Sequence, residues 1–138
     1  MEDLRQAEGV KKRITSYKDL VAWQLAMSLA KRVYGATKLF PKDEQYGLVA
    51  QLRRAGVSVP SNIAEGYGRG TRRDYVCYLR TARASLYEIE TQVLLALALE
   101  YLTPKQAESL LADITECSRT LQGLIRSLEG VKRAAGDA

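Results

Sequence analysis

The chain has 138 residues, of which 46% are hydrophobic and 27% charged, and its formal net charge is +5. This length fits one domain with a single core. No apolar run approaches the roughly 18 residues of a membrane span, and the first residues lack the pattern of a signal peptide. Histidine is absent, and the two cysteines, Cys77 and Cys117, are far apart, which nearly excludes zinc-type sites. We expect a cytoplasmic protein without metal or cofactor, with both thiols free in the core.

The first helix is predicted from about Tyr17 to about Lys38. Residues 1–13 mix charges without periodicity and are predicted to form a flexible arm. Ser16 can cap the free amides at the helix start, where the carboxylate of Asp19 suits the helix dipole. Residues at spacings of three and four then predict one buried helical face: Leu20, Trp23, Met27, Ala30, Tyr34 and Thr37.

The second helix contains a proline. Pro60 lacks a backbone donor and crowds the preceding turn, so a kink is predicted near residues 56–60. Gly66 and the glycines that follow it end the helix and open a loop. The predicted buried face consists of Leu48, Leu52, Ala55, Val59 and Ile63.

Asn62 and Glu65 are three residues apart and therefore share a face near the end of this helix. A carboxylate at that end opposes the helix dipole and needs a cationic or hydrogen-bonding partner. Arg53, Arg54 or Arg69 could supply it, within one chain or between chains. We expect a buried polar network here, and contact with a ligand or RNA is the alternative.

The third helix is predicted to begin at residues 71–74 and to end near Tyr101. Its predicted core stripe is Tyr75, Leu79, Ala82, Leu86, Ile89, Val93 and Ala96.

The fourth helix has the clearest start signal in the chain. Thr103 is a predicted N-cap, Pro104 occupies the first helical position and Gln106 completes a capping box. Gly130 is predicted to end this helix and to leave a flexible tail over residues 130–138.

These patterns predict an all-α fold. No segment alternates with period two, and the connections between the helices are short. Short connections make consecutive helices antiparallel neighbours. The sequence therefore predicts an up-down-up-down four-helix bundle over residues 14–129.

Charge is unevenly distributed along the chain. Residues 88–116 hold six acids and one base, whereas residues 53–83 hold seven arginines, no lysine and two acids. Arginine binds phosphate through a planar fork of donors, so these side chains are candidate nucleic-acid ligands. The alternative is a solvated face, or arginines that pair with acids across a subunit interface. The candidates are Arg53, Arg54, Arg69, Arg72, Arg73, Arg80 and Arg83.

No catalytic constellation is evident in the sequence. A serine–histidine relay and the Glu-x-x-His motif of di-iron bundles both require histidine, which is absent. The glycines at 66, 68 and 70 precede no strand and no Lys-Ser/Thr pair, so they do not form a phosphate loop. We expect a protein that is not an enzyme.

Several strings resemble those of a known family. They are FPK at 40–42, QYGL at 45–48, QLRRA at 51–55 and SVPSNIAEG at 58–66, the last including Pro60, Asn62, Glu65 and Gly66. With them, the chain resembles the bacterial four-helix bundle protein family over roughly residues 14–128. That family includes proteins encoded in intervening sequences of large-subunit ribosomal RNA genes. Ala84 departs from the glycine expected there, which implies a small shift in packing.

The resemblance implies a four-helix protomer that assembles as a homopentamer and has no catalytic activity. The family is similar in fold to the accessory proteins of diversity-generating retroelements, which bind nucleic acid and work with a reverse transcriptase. We therefore expect a self-assembling bundle that binds nucleic acid, RNA in preference to DNA, through the seven arginines. The alternative is a scaffold or accessory subunit, for example for a reverse transcriptase, whose arginines serve protein interfaces.

Overall fold

The computed structural model describes residues 13–136, with side chains over residues 13–130. In this part of the chain the architecture is four helices and no strand. The helices are α1 (Val21–Thr37), α2 (Leu48–Tyr67), α3 (Arg72–Ala98) and α4 (Pro104–Gly136). Each packs against the next, and α4 closes the square against α1. The predicted all-α four-helix bundle is confirmed.

The core runs the length of the bundle because each helix has one apolar stripe that faces the axis. The stripes predicted on α2 and α3 are buried, except that Tyr75 is half-buried. No helix in the described residues is long and apolar enough to cross a membrane. The largest fully buried side chains are Leu29, Val33, Leu52, Val59, Ile63, Leu79, Leu86, Ile89, Val93, Cys117, Leu121 and Ile125.

The start of the bundle differs from the prediction. The capping box of Ser16 and Asp19 is present, but it caps a short 3-10 turn over Tyr17–Asp19. Extended backbone at Leu20 then separates this turn from α1. The bulk of the predicted arm, residues 1–12, lies outside the described residues.

The buried face of α1 was predicted only in part, since Leu20, Ala30 and Thr37 are buried but the larger side chains of the predicted face are not. Met27 and Tyr34 are 46% and 41% exposed, and the core is made by Ala22, Ala26, Leu29, Ala30, Val33 and Thr37. Apolar residues occur on two adjacent stripes of α1, and the stripe with alanines lets the neighbouring helices approach closely. The larger side chains therefore lie at the edge of the α1–α2 contact.

The proline does not interrupt α2. Pro60 is buried within a continuous helix from Leu48 to Tyr67. The helix continues without a break through residues 56–60, where a kink was predicted, and the two serines that flank Pro60 differ in exposure, with Ser58 half-buried and Ser61 exposed.

The boundaries of α3 and α4 are set by local caps. Thr71 Oγ1 accepts a hydrogen bond from Asp74 N at 3.1 Å. At the other end of α3, Glu100 has φ 64° and Tyr101 N donates to Ala96 O, which forms a Schellman motif without glycine. The capping box of Thr103 and Gln106 is present, with bonds of 2.9 and 3.1 Å.

Helix α4 does not end at Gly130 as predicted. It continues to Gly136. A single glycine inside a helix costs about 1 kcal/mol, which the flanking helix-forming residues offset.

Candidate nucleic-acid interface

A groove between α3 and α4 concentrates the accessible arginines. Its volume is about 550 Å³. Arg119 and Arg126 are seven residues apart and so share one face of α4, opposite Arg83 and Tyr87 of α3. We call it the basic groove, and it is lined by Arg83, Leu86, Tyr87, Glu90, Ile114, Thr115, Ser118, Arg119, Gln122, Gly123 and Arg126.

Two arginines of the basic groove are available to a ligand. Arg119 and Arg126 are exposed and make no hydrogen bond or ion pair with another described residue. Arg83 is held in place, because its Nη1 donates to Gln122 Oε1 at 2.6 Å. Glu90 supplies the one carboxylate of the lining. The groove therefore holds three cations against one anion.

An aromatic ring lies beside these charges. The guanidinium of Arg83 is 5.9 Å from the centre of the Tyr87 ring. The side chain of Tyr87 is 55% exposed, which is more than a tyrosine needs when its only role is to pack at the edge of a core. A flat ring next to arginines is the combination that binds single-stranded nucleic acid by stacking and charge.

The basic surface continues towards the start of α3. Arg72 and Arg73 are exposed and make no hydrogen bond or ion pair with another described residue. Arg80 forms an ion pair with Glu129 of α4, which neutralises its charge. Of the seven predicted arginines, Arg72, Arg73, Arg80 and Arg83 therefore lie along the α3–α4 side or at its end.

The remaining three predicted arginines lie elsewhere. Arg53 packs against α1, with its guanidinium 4.6 Å from the Tyr34 ring centre and Nε donating to Thr37 Oγ1 at 2.9 Å. Arg54 forms an ion pair with Glu88 of α3 at 2.8 Å. Arg69 lies 5.3 Å from the ring centre of Tyr78. The structure therefore does not bring all seven together on one surface.

The string from Ser58 to Gly66 of α2 makes a polar contact with α3. Asn62 Nδ2 donates to Ser58 O at 2.8 Å and to Ser58 Oγ at 3.0 Å. Ser58 Oγ lies 2.8 Å from Ser85 Oγ on α3. Glu65 is exposed, takes no part in this network and makes no ion pair with another described residue, so pairing with an arginine of a second copy stays a prediction.

Gly66 lies at the closest approach of α2 and α3. A Cβ on Gly66 would be 2.7 Å from Tyr78 Cβ and 3.2 Å from Tyr75 O. Only glycine fits this distance. Burial at this contact raises the pKa of Tyr75 to about 12.

The two thiols differ from each other. Both are free, but Cys77 is exposed and only Cys117 is in the core. The prediction of two core thiols is therefore wrong for Cys77, which lies on the outer face of α3. Burial raises the pKa of Cys117 to about 12, so this thiol is unreactive at neutral pH.

The α4 half of the basic groove was missed from sequence. Arg119 and Arg126 are separated by seven residues, and this helical spacing was the available signal. They follow a segment rich in acidic residues, so the net charge summed over that part of the chain did not indicate them.

An antiparallel four-helix bundle with one arginine-lined groove defines the structural class of this protein. Residues 18–123 match the 23S rRNA-intervening sequence protein family, and the chain belongs to that family. No curated protein sequence matches the chain.

A solved structure supports the same placement. The crystal structure of a protein of unknown function from the S23 ribosomal protein family of Bacteroides thetaiotaomicron has a TM-score of 0.71 to this chain. The two sequences are 28% identical over 76% of this chain and 98% of that chain. The resemblance stated from sequence is confirmed.

Proposed function

We propose that this protein is a non-enzymatic, self-assembling bundle of the cytoplasm that binds nucleic acid, with RNA preferred. The observation that carries the proposal is the basic groove, in which Arg119 and Arg126 pair with no other described residue and lie beside the exposed Tyr87. The family name, which refers to sequences intervening in 23S rRNA, supports RNA as the ligand.

The chemistry of the groove suits a phosphate backbone. An arginine fork donates two parallel hydrogen bonds to phosphate oxygens, and such charge-assisted bonds are about twice as strong as neutral ones. Arg83 is already ordered by Gln122, so it loses little freedom when a ligand binds. Tyr87 provides a stacking surface for an unpaired base.

The proposed interface differs from the predicted one in its set of arginines, because some predicted residues are left out and others are added. It keeps Arg72, Arg73, Arg80 and Arg83 and leaves out the three arginines whose side chains pack against α1, Glu88 or Tyr78. It adds Arg119 and Arg126. Binding then uses the face of the bundle opposite α1 and α2.

The test is fluorescence anisotropy of a labelled RNA hairpin at about 50 and about 200 mM salt. The test variant is Arg119→Ala with Arg126→Ala. The control is Lys42→Ala with Lys105→Ala, which removes the same charge from exposed positions outside the basic groove. Both proteins must first show the same melting curve and the same mass as the wild type.

We expect wild-type affinity to fall by orders of magnitude between the two salt concentrations, because phosphate contacts release counterions. The arginine variant should bind at least about tenfold more weakly and with a shallower salt slope, since two phosphate contacts are lost. The lysine control should bind as the wild type does. Equal loss in both variants would show that only net charge matters and would contradict a binding groove.

Self-assembly as a homopentamer belongs to the same proposal. Large apolar side chains remain exposed on the single chain, among them Leu39, Tyr46, Leu94 and Leu95. Light scattering coupled to size exclusion should give five times the mass of one chain. A mass of one chain at micromolar concentration would contradict it.

A second candidate is a scaffold or accessory subunit for a protein partner, such as a reverse transcriptase. Arg53, Arg54 and Arg80 are already engaged within the chain, which favours a structural role for part of the arginine set. No binding of the hairpin at the lower salt concentration would favour this candidate over RNA binding.

A further inference from the structure

A second groove, between α1 and α2, is nearly free of charge. Its volume is about 820 Å³, and Lys31 is the one charged side chain among the described residues that line it. We call it the apolar groove, and its lining is Tyr17, Trp23, Met27, Ser28, Ala30, Lys31, Tyr34, Val57, Pro60, Ser61 and Ala64.

The rim of the apolar groove is basic near the C-terminal end of α1. Lys38 is seven residues from Lys31 and so lies on the same stripe of α1. Arg53 lies at the same end, over the ring of Tyr34. A partner for this groove should therefore present apolar side chains beside carboxylates.

The same chain presents such a surface on α3. Leu94, Leu95 and Leu99 are between 46% and 49% exposed, and Ala98 beside them is exposed. These four residues form what we call the leucine patch. Glu100 follows Leu99 directly and has an exposed side chain, whereas Glu88, two turns before Leu95, is paired with Arg54 of its own chain.

We propose that the leucine patch of one copy docks into the apolar groove of a second copy, in a head-to-tail contact. The charges are complementary, because the carboxylate of Glu100 beside the patch meets Lys31 and Lys38 beside the groove. A contact of groove with groove would instead bring Lys31 of both copies together. The leucine patch and the apolar groove lie on different helices. A copy that uses one of them in a contact therefore still has the other available for a further copy.

This geometry accounts for growth beyond a dimer. A head-to-tail contact is heterologous and produces a closed ring when its rotation closes. The inference rests on the proposed self-assembly and names the surfaces that perform it. The apolar groove lies on the face opposite the basic groove, whereas Leu94 of the patch is seven residues from Tyr87 and so lies on the same stripe of α3, next to the end of the basic groove.

The test uses two variants of the full chain that carry the same new charge. Met27→Lys places a cation in the apolar groove, and Leu95→Lys places one in the leucine patch; both positions are about half exposed in the single chain. Because the new charges have the same sign, they cannot compensate each other. Ser127→Lys, exposed on α4 and outside both surfaces, is the matched control.

Mass is measured by light scattering, and folding by thermal melts of each variant. We expect Met27→Lys and Leu95→Lys to be single chains, and Ser127→Lys to keep the wild-type mass. An equimolar mixture of the first two should give a species of two chains and nothing larger. In that mixture one intact groove meets one intact patch, and the other half of each chain is blocked.

The remaining outcomes overturn the proposal, and they differ in what else they affect. If either lysine variant keeps the wild-type mass, the chosen surface is wrong while self-assembly stands. A mixture that stays monomeric, or that recovers the full mass, excludes a head-to-tail contact between these surfaces. Increased cleavage of residues 1–12 in Met27→Lys at unchanged mass would assign the groove to the chain's own first residues. If the wild type is itself monomeric, self-assembly fails together with this inference, and RNA binding is still judged by anisotropy.

Discussion

Helix α3 contacts its two neighbours in different ways. On the α2 side the backbones approach until only a glycine fits, at Gly66 against Tyr78, and the serine hydroxyls of Ser58 and Ser85 are 2.8 Å apart. On the α4 side the same helix borders a groove of about 550 Å³, across which Arg83 reaches Gln122. A close contact is fixed by packing, whereas an open groove leaves side chains free to bind.

The difference separates two roles that the sequence presents together. The string from Ser58 to Gly66, which is the most distinctive in the chain, serves the α2–α3 contact. On the α3–α4 side of the described bundle, the arginines without a hydrogen bond or ion pair to another described residue belong to α4 and to the first turn of α3. Changes on the α2 side should therefore affect stability, and changes on the α4 side should affect binding.

The largest effect is expected for Gly66→Ala. The added Cβ would lie 2.7 Å from Tyr78 Cβ and 3.2 Å from a backbone oxygen, so α2 and α3 must move apart. Overpacking of this kind costs about 1–3 kcal/mol. Urea denaturation followed by circular dichroism measures the loss.

Gly123→Ala is the matched control, because Gly123 lies in α4 with nothing within 4 Å of the added Cβ. This variant should gain up to about 1 kcal/mol, the difference in helix propensity between the two residues. Equal changes in both variants would mean that helix propensity alone decides and that the α2–α3 contact is not unusually close.

A smaller loss is expected from the serine pair. Ser85 is buried, and Ser85→Ala removes the hydrogen-bond partner of Ser58 Oγ. This change should lower the free energy of unfolding by about 1 kcal/mol. Ser58→Ala should cost more, because Asn62 Nδ2 also loses an acceptor. The double variant should cost less than the sum of the two, and urea midpoints of all four proteins give this coupling. Strict additivity would contradict a shared network.

Local features of this fold could be predicted from the sequence, because each depends on residues close together in the chain. The capping box of Thr103 and Gln106 spans four residues and was predicted correctly. The stripes of α2 and α3 were also predicted correctly apart from the half-buried Tyr75, although α3 carries further apolar residues, Leu94 and Leu95, on its exposed side. On α1 two adjacent stripes are apolar, and the sequence does not indicate which of them faces the axis.

The candidate site was less predictable, because it depends on partners distant in sequence. Arg80 and Glu129 are 49 residues apart, and Arg83 and Gln122 are 39 residues apart. Pairing across helices decides which arginines keep a free charge. Composition shows where arginines are frequent, but only the packing of α3 on α4 shows which of them share a groove.

The ion pair of Arg80 offers a way to enlarge the basic groove. Glu129→Gln removes the carboxylate that neutralises Arg80. If Arg80 then contacts a phosphate, RNA should bind more tightly, and the slope of log affinity against log salt should steepen by about 0.7–0.9. Stability should change by less than about 1 kcal/mol, because the pair is partly exposed.

Arg80→Ala is the complementary variant. Since its charge is neutralised in the free protein, its removal should weaken RNA binding less than removal of Arg119. If anisotropy shows the reverse order, the ion pair opens on binding and Arg80 is a principal contact.

The smallest effect is expected at the end of α3, where the contact with α2 begins. Tyr101 Oη donates to Glu44 Oε2 at 2.9 Å, and Leu48 N donates to Glu44 Oε1 at 2.9 Å. The backbone donor of Leu48 and then Tyr101 lower the pKa of Glu44 below its ordinary value of 4.5. The carboxylate therefore stabilises the fold above pH 4.5, and this contribution is lost as the pH falls through the lowered pKa.

The hydrogen bond to Glu44 also raises the pKa of Tyr101 above its ordinary value of 10.0. That contribution has the opposite sign: it is present below pH 10.0 and is lost as the pH rises through the raised pKa. Urea midpoints of the wild type should therefore fall at both acid and alkaline pH. Glu44→Gln should flatten the acid side, and Tyr101→Phe should flatten the alkaline side. Glu44 is half-buried, and an acid dependence unchanged in Glu44→Gln would assign the loss of stability to other carboxylates of the bundle.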